Sequence, residues 1–165
     1  MNCTRTVRHQ QSGSTLLEIL VTIVILSFGL LGVAGLQMVG LKNNKSALYR
    51  SQASIMAYDM IDRMRVNRKQ TQDGGYNTGS TYISWSGGAI SGASFTGMAN
   101  KDVADWIETV STRLPSGKAR IEAASKATTI RITIEWNDSR GVGGGEAQSF
   151  SVETQGCGNN STCIL

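Results

Sequence analysis

The chain has 165 residues, a hydrophobic share of 40% and a formal net charge of +4. That is enough for one modest domain, and too little positive charge to argue for nucleic acid, since Arg5 and Arg8 lie in a segment expected to be removed. The one histidine, His9, precedes the apolar run, which excludes a Ser-His-Asp or Cys-His mechanism in the body of the protein. No catalytic residue, no metal ligand set and no cofactor is expected, and the chain does not read as an enzyme.

Residues 1–13, MNCTRTVRHQQSG, are polar and basic. An uncharged apolar run then extends from Ile19 to Leu36. With Leu16 and Leu17 added, this run makes a helix of about 30 Å, the thickness of a bilayer core. Glu18 stands at its head. A carboxylate at the edge of a spanning segment costs a few kcal/mol if left unpaired. One reading places it among the headgroups, where it favours the helix N-terminus. The other pairs it with a positive charge from another chain, and cleavage before Ser14 would create such a charge on every subunit.

The segment GSTLLE, Gly13 to Glu18, resembles the signal of type IV prepilins and pseudopilins. The pattern is a short basic leader, Gly, a small start with Glu fifth, and an apolar helix. The resemblance implies cleavage by a membrane peptidase between Gly13 and Ser14. It implies methylation of the new Ser14 amine by the same enzyme, and a role for Glu18 in subunit assembly. The family usually carries Phe after the Gly, whereas this chain has Ser14. An ordinary secretory signal peptide, cut near Val33-Ala34-Gly35, is the rival reading, but the run is long and helix-forming sequence follows it directly. Gly29, Gly32 and Gly35 recur every third residue, a spacing that permits close helix contact in a membrane.

From Gln37 to about Asn67 the sequence predicts that the same helix continues, for a total of roughly 80 Å from residue 15 to 67. Leu41, Leu48 and Ile55, together with Met56, Met60 and Met64, read as one apolar stripe packed on a globular domain. Arg63, Arg65, Arg68 and Lys69 close the helix and complement its dipole, and a DNA-binding patch lacks interleaved aromatics. Residues 70–99 read as a long connection with one short strand at Thr81 to Trp85. A second helix starts from an Asn100 cap, carries Val103, Trp106, Ile107, Val110 and Leu114, and stops at Pro115-Ser116-Gly117. Strands follow at 119–123, 129–136 and 148–154, with Ile130, Ile132, Ile134 and Trp136 on one face.

Three cysteines are present. Loss of the leader removes Cys3 and leaves Cys157 and Cys163. In an exported chain that pair reads as a disulfide, the alternative being two free thiols; zinc has neither a second cysteine pair nor a histidine nearby.

The series DxxDW, LPSG and ITIEWND, carried by Asp102, Asp105, Trp106, Leu114, Pro115, Gly117, Trp136 and Asp138, is similar to PilV-type minor pilins. The fold class that follows is α+β: a long N-terminal helix whose first half spans the membrane, a small antiparallel sheet packed on its second half, and one further short helix. The organisation expected is a leader at 1–13, a transmembrane and filament-core helix at 14–36, an amphipathic continuation at 37–68, and a globular domain at 69–165 with a C-terminal disulfide loop. The resemblance implies a minor type IV pilin that contributes to pilus assembly and to adhesion or twitching motility. Its partners would be other pilins, the prepilin peptidase and methyltransferase, and the inner-membrane assembly platform. It would sit in the inner membrane with a cytoplasmic N-terminus, then in a surface pilus. A type II secretion pseudopilin, and a secreted or tethered binding protein with an ordinary signal peptide, are the competing functions.

Overall fold

The computed structural model describes residues 15–139, 141, 145 and 147–156. His9, the Gly13–Ser14 junction, Cys157 and Cys163 lie outside them. The chain divides into two compact units, 1–40 and 41–165.

Helix α1 runs Leu16–Val66. The amides of Glu18 and Ile19 bond to the Thr15 carbonyl and open it. No proline interrupts it, and its last turn carries Arg63 and Arg65. These two arginines pair with Asp59 at 3.0 Å and Asp62 at 2.9 Å along the same helix. Such exposed i,i+3 and i,i+4 pairs stabilise a helix by a few tenths of a kcal/mol.

The helix ends within a residue of where its sequence suggests, but the basic cluster beyond it is not its last turn. Asn67 takes φ −101°, ψ 55°, and a five-residue helix α2, Arg68–Gln72, follows. Arg68 and Lys69 therefore open a new helix and do not close α1. A short hairpin comes next, β1 at Ser84–Ser86 and β2 at Ala89–Ser91, antiparallel with Trp85 opposite Ile90. Gly87 and Gly88 turn it at φ +60° and +84°. A two-residue loop with both φ positive matches the twist of the strands, and glycine meets that demand without strain. The sequence analysis anticipated one strand at 81–85 and missed the hairpin.

Helix α3 spans Gly97–Arg113 and begins three residues before Asn100. Neither Asn100 nor the N-cap residue Thr96 caps it through a side chain. Gln70 does so from α2: its Oε1 accepts the Ala99 amide at 2.9 Å, and its Nε2 donates to the Thr96 carbonyl at 3.2 Å. A capping acceptor thus comes from far away in sequence and satisfies one of the orphan amides of the first turn.

Strands β3 (Lys118–Glu122), β4 (Thr129–Trp136) and β5 (Gln148–Gln155) form one antiparallel sheet in that order. The register stacks apolar rows on the inner face: Ala119, Ile134 and Phe150 in one, Ile121, Ile132 and Val152 in the next. The outer face holds ion pairs, Lys118 with Glu135 at 2.6 Å and Arg131 with Glu153 at 2.5 Å. Both pairs open onto solvent on at least one side, which leaves them little net stabilising effect.

One core unites the second half of α1, α3 and the inner face of the sheet. From α1 it takes Ala53, Met56, Ala57, Met60, Ile61 and Met64. Leu41, Leu48 and Ile55 do not join it and stay 70%, 53% and 66% exposed. Each residue of a helix turns about 100°, so a row through Ile55 lies a quarter-turn from the row through Met56. The single stripe expected from the sequence is therefore two, one buried and one bare. The α+β class itself is as expected.

Candidate functional site

Two regions carry functional content, the N-terminal helix half and the residues that hold the domain together. In the first unit, every described residue is exposed, and the apolar window of α1 has a mean hydropathy of 2.6 with none of it buried. A core helix of a water-soluble domain would be mostly covered by its own chain. This segment is long and apolar enough to cross a membrane, and among the described residues none of it is buried. A Cβ added at Gly29, Gly32, Gly35 or Gly40 would meet nothing within 4 Å among the described residues beyond the helix's own backbone. Glu18 lies in the first turn of α1, where a carboxylate favours the helix dipole. Its peptide N–H bonds to the Thr15 carbonyl at 3.0 Å.

In the second unit, the residues that carried the resemblance turn out to stitch the fold. Asp102 accepts a hydrogen bond from the Tyr76 hydroxyl, which also receives one from Asn67 Nδ2 at 2.9 Å. Burial, then the bond to the Asp102 carboxylate, pushes the Tyr76 phenol far above its ordinary pKa, so it stays a donor at any physiological pH. Trp106 Nε1 donates to the Met56 carbonyl at 2.8 Å and joins α3 to α1. Gly117 sits where an added Cβ would stand 2.5 Å from the Val110 carbonyl oxygen, so only glycine fits. The Pro115 carbonyl accepts the Asn137 amide at 2.8 Å. Leu114 and Trp136 are buried. Asp138, only 4% exposed, accepts a hydrogen bond from Ser46 and so ties the end of β4 to α1. Asp105 is exposed and its side chain takes no part in this stitching.

A further polar cluster lies on the outer sheet face. Lys118 Nζ stands 4.9 Å from the centre of the Tyr82 ring, and the Arg120 guanidinium stands 5.3 Å from it. The hydrogen bond from Lys118 holds the Glu135 carboxyl below its usual range. Burial, and then the neighbouring Glu135, push Tyr82 up. Both shifts favour the states found at neutral pH, so the cluster is a stable ion-pair network and not a proton-transfer pair. Among the described residues no group of His, Cys, Asp and Glu could hold a metal ion. Asp59, Asp62 and Glu108 remain helix-surface charges.

Residues 8–34 match the family model described as the prokaryotic N-terminal methylation motif. This match covers residues just before α1 and the first part of that helix, and it supports a type IV pilin or pseudopilin. The motif, continuing into an apolar helix of which no described part is buried over its membrane-length window, fits anchoring in the inner membrane before assembly. It also implies processing by prepilin peptidase and assembly with other pilins. No curated protein and no solved structure matches the chain.

Proposed function

We propose that this chain is a minor type IV pilin of the PilV type, a structural and interaction subunit with no catalytic role. The methylation motif, run directly into a bare apolar helix, is the observation that supports this reading most. Prepilin peptidase cuts between Gly13 and Ser14 and methylates the Ser14 amine. The domain faces the periplasm, and the apolar half of α1 leaves the lipid to pack among other pilins. In the filament, Glu18 meets the Ser14 amine of a neighbouring subunit. Low abundance, a part in initiating the pilus, and effects on adhesion and twitching follow from the PilV-type resemblance. Cys157 and Cys163 close the C-terminal loop as a disulfide.

Mass spectrometry of the chain recovered from membranes tests the processing. The expected chain begins at Ser14, with one added methyl group, and a non-reducing digest links Cys157 to Cys163. A chain beginning near Leu36 would replace the pilin reading with an ordinary signal peptide. The methylation motif serves type II secretion pseudopilins equally. Deletion of the gene separates them, since loss of surface pili with intact exoprotein export is the outcome expected here.

A further inference from the structure

From Gly74 to Asn100 the chain has no Asp, Glu, Lys, Arg or His, in a protein where 17% of residues are charged. Ser, Thr, Gly and Asn dominate the stretch, with Tyr76, Tyr82, Trp85 and Phe95 among them. This composition supplies rigid aromatic area and adaptable hydrogen bonding without charge, as the binding loops of antibodies do. The structure folds part of it into a concavity of about 360 Å³ between the β1–β2 hairpin and α3. Trp85, Ile90 and Phe95 form its apolar wall, Ala104 lies on the α3 side, and Ser94 and Asn100 supply polar groups.

Three observations make this more than a surface dimple. First, Trp85, Ile90 and Phe95 are packed against the core on one side and remain half-exposed, so they are fixed yet accessible. The Trp85 backbone amide is held by Ser111 Oγ at 3.1 Å, and that hydroxyl donates in turn to the Gly117 carbonyl at 3.1 Å. Second, the Ser94 hydroxyl, the Asn100 amide and the Trp85 indole N–H make no hydrogen bond among the described residues. They comprise donors and acceptors of the neutral kind, on residues that line one cavity. Third, the lining carries no charge, whereas concavities along the α1–α3 seam are lined by Asp59, Arg63 and Arg113.

We propose that this concavity binds a neutral sugar residue of a glycan. A sugar presents a face of C–H bonds, weakly positive, to the negative face of an aromatic ring. Its hydroxyls both donate and accept, which suits an amide and a serine hydroxyl. An anionic ligand would find no cation here, and a cationic one no carboxylate. The volume lies at the small end of the range for ligand sites, about 300–1,000 Å³, and suits one or two rings. The proposal stands independently of the filament reading, because binding is read on the single chain.

The test is a titration of the full chain in a detergent without a sugar headgroup. Lactose and N,N′-diacetylchitobiose are the probes, and a sialylated trisaccharide is the anionic control. Tryptophan emission reports the site selectively, since Trp106 and Trp136 are 1% and 2% exposed and Trp85 is the accessible one. A saturable change with a neutral disaccharide is expected, and none with the sialylated one. Asn100→Ala, at an exposed position, weakens binding about tenfold, the loss of one good hydrogen-bonding partner. Ala104→Phe fills the cavity and abolishes binding. No saturable change with either neutral disaccharide overturns the proposal. So does binding that Asn100→Ala leaves intact, or binding of N-acetyl-leucine amide alone, which would make the cavity a socket for an apolar side chain of another subunit.

Discussion

Glu18→Ala will leave the chain inserted in the membrane and lower its incorporation into filaments by about two orders of magnitude. Insertion is driven by the apolar residues of α1, which carry a mean hydropathy of 2.6 over the window and lose nothing when a carboxylate is removed. Assembly differs. In the proposed filament each Glu18 meets the Ser14 amine of a neighbour in surroundings depleted of water. Removing one member of such a pair strands the other, at a cost of about 3–5 kcal/mol. Even the lower figure is about a hundredfold in occupancy. Glu18→Gln, which keeps the shape and drops the charge, should fail nearly as badly. The measurement compares variant and wild type in sheared filaments and in membranes by quantitative immunoblot. Full incorporation of Glu18→Ala would eliminate the pairing while leaving processing at Ser14 untouched.

The second large effect concerns the domain. Trp106→Ala should destabilise it by about 3–5 kcal/mol, as expected for emptying a buried aromatic site. The indole is 1% exposed and lies in the core shared by α1, α3 and the sheet. Its N–H is also the hydrogen bond that joins α3 to the Met56 carbonyl. A domain of this size has about 5–15 kcal/mol in all, so the variant sits near the edge of folding. Trp106→Phe separates the two contributions. It keeps most of the volume, loses the bond, and should cost about 1–2 kcal/mol. Urea unfolding followed by near-ultraviolet circular dichroism reads both. A loss below about 1 kcal/mol for Trp106→Ala would mean that α1 and α3 are held together elsewhere.

Much of this architecture is visible in the residues. The spacing of Val103, Trp106, Ile107 and Val110 defines the buried face of α3, and the alternation from Thr129 to Trp136 defines β4. Both signals are local and periodic, which is why they are legible. Leu41, Leu48 and Ile55 mislead because periodicity says which residues share a face but not what covers it. The break at Asn67 has no proline to announce it. Gly87-Gly88 between Trp85 and Ile90 was a readable hairpin signal that the sequence analysis passed over. Gln70 could not have been found, because its partners Thr96 and Ala99 reach it only through the tertiary fold. On the functional side, the leader motif is contiguous and was legible at once. The concavity beside Trp85 draws on a hairpin and a helix, and no short stretch of sequence encodes it.

The Gln70 clip has a consequence for how this surface can change over generations. One amide draws together α2 and the first turn of α3. Between those ends the chain is pinned again where Tyr76 is buried, where Ile83 pairs with Ala119, and where the Trp85 amide meets Ser111. Asn77 and Thr78 tie it to the end of β3 as well, through the Ala123 amide and the Ile121 carbonyl. Substitutions at the exposed Ser86, Ala89, Ser91 and Ser94 can therefore alter what the surface recognises while the helices keep their positions, whereas Gly87, Gly88 and Gly92 hold positive φ and resist change. The loop behaves as a cassette, its exposed positions replaceable one at a time, mounted on a frame that the requirements of folding hold still.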